Sequence, residues 1–200
     1  MISDLSRKIS SSFLSRGIIS DEDVEVYSYS FEILIATLFN SLAICLFALK
    51  TGTVVKTTFY LLAFLPLRLI AGGYHAENHS RCFLILMTVY GLFLFTSYYL
   101  PVSYHVYVIV LSLLTSVLLV FTLAPIEDKN KPLSFQETVS FKKKSRTAII
   151  CYSIATGLLL FFMTELALSL ALGILSVALS LVASMVKRAY KGYYLPEGKQ

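Results

Sequence analysis

The chain has 200 residues, of which 56% are hydrophobic and only 14% charged, with a formal net charge of +5. A water-soluble domain carries about a quarter charged residues, so this composition excludes a disordered tail, a disulfide mini-protein and an ordinary soluble enzyme. Apolar blocks near or beyond ~18 residues reach the length that spans a bilayer, which predicts a single polytopic, all-α membrane domain.

Residues 1–28 are polar and mixed in charge, without the apolar core of a signal peptide. Ile2, Leu5, Ile9 and Phe13 recur at helical spacing with Arg7, Lys8 and Arg16 among them. This predicts a short amphipathic helix, either lying on an anionic membrane surface or serving as a plain lead-in. Six transmembrane helices are predicted next, at about 29–49, 53–71, 82–100, 104–124, 147–163 and 166–186. Pro101 and Pro125 stop the third and fourth, and Thr164 and Glu165 are expected to turn a tight hairpin between the last two. Residues 125–146 read as a basic cytoplasmic loop, and residues 187–200 as a cytoplasmic tail.

Orientation follows from the basic residues. Fourteen of the seventeen Lys and Arg fall on the side of the N-terminus, only Lys50 and Lys56 fall on the other, and Arg68 lies within a span. Both termini are therefore expected in the cytoplasm. Two charges fall inside spans, Glu32 near the start of the first and Arg68 near the end of the second. Antiparallel neighbours put both at one shallow depth, where a Glu–Arg pair offsets the desolvation of each. Cys45 and Cys151 read as small apolar side chains, and His105 as an interfacial residue at the outer end of the fourth span.

The densest polar cluster runs from Arg68 through Gly72, Gly73, His75, Glu77, Asn78, His79 and Arg81 to Cys82, joining the second and third spans. A thiol is nucleophilic only as thiolate, a form favoured by a neighbouring His, Arg or helix N-terminus. His75 and Cys82 are seven apart, ~10.5 Å along a straight helix, which is too far for a proton transfer over ~3 Å. Such a pair needs a bent backbone, and Gly72-Gly73 supplies a turn just upstream. His79, three residues from Cys82, is adjacent to it on a continuous helix. Spacing thus favours His79 if the stretch is helical and His75 if it is looped. Two other readings share these residues. One is a metal site of His75, His79 and Cys82 with Glu77, although the order His-Ala-Glu-Asn-His differs from the zinc-peptidase motif and no fourth ligand is apparent. The other is a hydrated interfacial loop with no chemistry.

The string Arg68-x-x-x-Gly72-Gly73-x-His75-Ala76, with Cys82 seven residues after the His, resembles the accessory gene regulator B (AgrB) family. The run Ala124-Pro125, then Lys129-Asn130-Lys131-Pro132-Leu133, is similar to that family's cytoplasmic loop, and length and six spans agree. The family consists of membrane cysteine endopeptidases that process quorum-sensing propeptides in Gram-positive bacteria. The resemblance implies Cys82 as nucleophile and His75 as its base, with His79 dispensable. Arg68 and Gly73 fall on the family's Arg and Gly positions, Gly72 flanks them, and Glu32, Glu77 or Asn78 remain candidates for orienting His75. It also implies an AgrD-like substrate with an acidic tail, which the basic residues Lys142, Lys143, Lys144 and Arg146 are suited to meet. Cleavage through a thioester followed by ring closure gives a thiolactone or lactone peptide. The implied setting is a bacterial cell membrane, with the active site on the cytoplasmic face and the enzyme a homodimer. No metal, cofactor or nucleic acid enters this reading. The alternative is a six-span carrier or scaffold without covalent catalysis, in which Arg68, His75 and Glu32 line a path.

Overall fold

The computed structural model describes residues 2–73, 79–126 and 134–190, and among them the fold is all-helical, with a single parallel bridge between Gly72 and Ile126 in place of any strand. The helices are α1 (Ile2–Ser15), α2 (Val24–Thr51), α3 (Val54–Ala71), α4 (His79–Tyr99), α5 (Val102–Leu123), α6 (Phe135–Phe162) and α7 (Thr164–Tyr190). Six of them, α2 to α7, are long and apolar enough to cross a membrane. Helices are the local solution in lipid, because each segment must satisfy its own backbone hydrogen bonds.

The first helix, α1, packs on α2, and its Ser6 and Ser10 are fully buried while Leu5 stays outside. Each hydroxyl bonds a carbonyl of its own helix, Ser6 to Ser3 at 2.9 Å and Ser10 to Ser6 at 3.1 Å, so neither needs water. Phe13 meets Phe31 of α2 with ring centroids 5.3 Å apart. The turn from α2 to α3 is made by Gly52, left-handed at φ 68, with Thr53 N–H closing back on Ala48 O at 3.0 Å.

The centre of the bundle is α7, which packs against α3, α4, α5 and α6 and is buried along most of its length. Small residues let it approach α3 closely. A Cβ at Gly173 would press on the Tyr60 carbonyl and Ala63, and Ser176 accepts a 3.1 Å bond from the buried Tyr60 hydroxyl. In contrast, α2 turns Leu34, Leu38, Phe39, Leu42, Leu46 and Leu49 outward, the surface that lipid would cover.

Pro66 lies inside α3 and has no N–H to offer the Leu62 carbonyl one turn back. Tyr152 of α6 donates its hydroxyl to that carbonyl at 2.8 Å, so the proline costs no orphaned acceptor and ties α3 to α6.

Two expectations are corrected here. The basic stretch 125–146 is not a loop throughout. Its second half is helical, because Ser134 and Glu137 form a capping box that starts α6 at Phe135. Hydropathy alone hides this start, since the first turns of α6 are polar. The break between the last two helices falls at Met163, and Thr164 already belongs to α7. Glu165 then sits in the first turn of α7, where it pairs with Lys56 of α3 at 2.8 Å. His105 stands in the first turn of α5. It is only 3% exposed, and its ring Nε2 lies 3.1 Å from Leu100 O, a carbonyl at the helix end before Pro101.

Candidate active site

Arg68 stands one turn before the end of α3, partly buried. Its Nη1 donates to Gly72 O at 3.0 Å and to Ser180 Oγ of α7 at 2.8 Å. A hydrogen bond from a charged group contributes about 1.5–3 kcal/mol. The cation is therefore held by its own helix end and by the central helix, across a sequence separation of 112 residues.

The two glycines after α3 differ in what requires them. Gly72 adopts φ 75, and a Cβ there would collide with the Ile126 carbonyl oxygen. The approach is close because Ile126 N–H donates to Ala71 O at 3.0 Å, bringing the chain after α5 against the end of α3. Gly73 adopts φ 135, and a Cβ there would overlap Arg68 Nη1 and Ser180 Oγ. Any side chain at position 73 would thus take the place of the guanidinium.

Cys82 is half-buried in the first described turn of α4, nine residues beyond Gly73. His79 begins the same helix, three residues before it. His75, Glu77 and Asn78 lie outside the described residues. Glu32 is half-buried in α2.

The basic residues of α6 divide into two sets. Lys142, Lys143 and Lys144 are exposed, and Lys143 and Lys144 line a cleft of about 500 Å³ with Ile70, Ser140, Thr147 and Ala148. Arg146 instead packs against α5. Its Nη2 donates to Phe121 O at 3.1 Å and its guanidinium lies 5.1 Å from the Phe121 ring centroid. That engagement covers a carbonyl at the C-terminal end of α5, which suits a cation there.

Arg68, Gly72 and Gly73 are brought together with Ser180, Ile126 and the Lys143–Lys144 cleft at one end of the bundle. Ser180 and Ile126 were not anticipated. The readable signal for Ser180 was the four-residue spacing of Ser176, Ser180 and Ser184, a small-residue edge suited to close helix packing. Ile126 carried no signal, since its role is backbone pairing.

These features define a polytopic helical membrane protein with a fixed cation, a double-glycine turn and a half-buried thiol near one set of helix ends. The chain belongs to the AgrB family, accessory gene regulator B, whose family model matches residues 5–182. Membership implies a part in accessory gene regulator processing, with a propeptide-type substrate in a membrane setting. The chain is 25% identical over 155 residues to a protein of Clostridium perfringens (strain SM101 / Type A) described as AgrB-like, covering 75% of this chain and 72% of that one. It is 24% identical over 155 residues to a second AgrB-like protein, from Clostridium perfringens (strain 13 / Type A), with coverage of 75% and 72%. No solved structure gives a significant match.

Proposed function

We propose that this protein is a membrane cysteine endopeptidase that removes the C-terminal tail of an AgrD-like propeptide, with Cys82 as nucleophile and His75 as its base. The observation that carries the reading is the half-buried Cys82 thiol at the start of α4, following the fixed Arg68–Gly72–Gly73 turn in a chain of the AgrB family. With most basic residues on one side, the site faces the cytoplasm.

His75 takes the thiol proton and the Cys82 sulfur attacks the carbonyl joining signal to tail. The tail leaves as a free amine with the proton from His75, and the signal stays on Cys82 as a thioester. A thiol within the signal then attacks that thioester, closing a thiolactone and returning the proton to the Cys82 thiolate. One thioester replaces another, so the acyl energy is kept and no nucleotide is consumed. The second nucleophile is part of the bound peptide, and its high effective molarity favours closure over hydrolysis. The positive charge of Arg68 suits a developing oxyanion. The reaction is tested by mass spectrometry of peptides from membranes holding this chain and an AgrD-like propeptide. Release of an intact tail supports it, and an uncut propeptide refutes it.

This chemistry needs a proton acceptor, not a metal. EDTA is expected to leave cleavage unchanged. Loss of activity in EDTA that returns with added zinc would revive the His75, His79 and Cys82 metal reading.

The exposed lysines of α6 are assigned to the acidic tail. Opposite charges raise the encounter rate, and exposed charges are screened beyond ~8 Å at physiological salt. Replacing Lys142, Lys143 and Lys144 with Gln should raise KM, more so at low salt, with kcat and insertion preserved. Neutralising the tail should give the same defect, and the two changes together should cost less than their sum. A triple variant that treats acidic and neutral tails as the parent does would reduce these lysines to a membrane anchor. Arg146, tied to α5, is expected to affect stability more than KM.

A further inference from the structure

We propose that Ile70, on the last turn of α3, is a specificity residue for the propeptide tail: with the Lys143–Lys144 face of α6 it selects tails that carry an aliphatic side chain close to an acidic one. This deepens the peptidase reading and rests on it.

The cleft of about 500 Å³ between α3 and α6 has two kinds of wall. Ser140, Lys143, Lys144 and Thr147 lie three or four residues apart, which sets them on one face of α6, and all four are exposed. The rest of the lining, Ile70 of α3 and Ala148 of α6, is half-buried and apolar. The stems of the two lysines add further apolar surface below their ammonium groups. The charged stretch of α6 ends at Arg146 and the next charge is Glu165, so the cleft lies where a polar helix turns apolar. A carboxylate on Lys143 or Lys144 answers only one wall. An aliphatic side chain near that carboxylate covers Ile70 and Ala148 as well, and this pairing of apolar area with a few polar groups is what orients a ligand in a pocket.

The place of the cleft suits the tail. Ile70 stands between Arg68 and Gly72, and Arg68 Nη1 donates to Gly72 O at 3.0 Å, so the apolar wall belongs to the fixed end of α3. The tail begins at the bond that is cut, and its first residues have to lie near the turn that leads to His75. The cleft adjoins that turn. Lys142 does not line it and acts on the tail through its charge alone. Position within the cleft, and not the number of charges on α6, therefore decides what each lysine contributes.

The test uses the full chain in phosphatidylcholine vesicles with an AgrD-like propeptide, the aliphatic residues of its tail replaced one at a time by Asn. For the parent, at least one replacement should raise KM about tenfold at unchanged kcat, as expected when an apolar side chain is lost from its pocket. Ile70→Ala should raise KM about tenfold for the unaltered tail, and little further for that replacement, because both changes remove one contact. A packing defect would act on every tail alike. Ile70→Val should show the same coupling at smaller size, so a poorly inserted Ile70→Ala leaves the test intact. Lys143→Gln and Lys144→Gln should each raise KM more than Lys142→Gln does. Additive effects of Ile70 and tail, or equal effects of the three lysines, overturn the selection by this cleft and leave the peptidase reading standing. An Ile70→Ala defect that appears only when phosphatidylglycerol is added, and equally for every tail, gives the cleft to anionic lipid and overturns the selection too. A parent that leaves the propeptide uncut overturns both readings.

Discussion

Cys82→Ser is expected to abolish propeptide cleavage, and His75→Ala to do the same, while both variants should insert as the parent does. A serine hydroxyl at position 82 occupies nearly the volume of the thiol, and the site is only half-buried, so little packing is lost. Under the proposed reaction the nucleophile is lost, since a hydroxyl at neutral pH has almost no anionic form to offer. At position 75 the proposed proton acceptor would be lost, worth typically 10²–10⁴-fold in rate for a positioned base. His79→Ala is expected to keep most activity, although His79 shares a helix with Cys82. The measurement is tail release by mass spectrometry from membranes with equal amounts of each variant. An inactive His79→Ala beside an active His75→Ala would reverse the roles and favour the i, i+3 helical pair.

Gly73→Ala is the second large effect, with a loss of activity of more than about a hundredfold, as expected for misplacing a group at the site by ~1 Å. Two costs combine at this position. The backbone sits at φ 135, where side chains are rarely tolerated, and the new Cβ would overlap Arg68 Nη1 and Ser180 Oγ. Strain of this kind costs of order 1–3 kcal/mol before any overlap is counted. Gly52→Ala is the control. It also has positive φ, 68, but nothing lies within 4 Å of its Cβ. That variant carries only the left-handed penalty, about 1–2 kcal/mol, and should cleave like the parent once folded. Melting temperature and tail release, measured on both variants, separate strain from displacement. Parent-like cleavage by Gly73→Ala would show that the Arg68–Ser180 arrangement is not needed.

The residues of the candidate site stood out in the sequence mostly one by one. Arg68 stood out because a charge inside an apolar span needs a reason. Gly72 and Gly73 stood out as a backbone turn, and both have positive φ. The choice of His75 over His79 came from the family resemblance, and His75 lies outside the described residues. The grouping of Arg146 with the three lysines rested on charge alone. The structure separates them, because the Arg146 guanidinium, two residues beyond Lys144, is engaged by a carbonyl of α5.

The sequence by itself determined how many helices are long and apolar enough to cross a membrane, and roughly where each lies. In lipid every segment must close its own hydrogen bonds, so helix formation is a local matter that local hydropathy reports. It also carried the capping signal Ser134-x-x-Glu137, legible in principle though masked by the polar first turns of α6. Only the tertiary structure decided which helix is central. A bilayer is as apolar as a protein core, so a buried leucine on α7 and a lipid-facing one on α2 read alike. The same holds for partners. Tyr152 serves Leu62 from 90 residues away and Ser180 serves Arg68 from 112, and no spacing rule within one helix connects them. Those contacts exist because α3, α6 and α7 pack closely enough for one helix to complete another's hydrogen bonds.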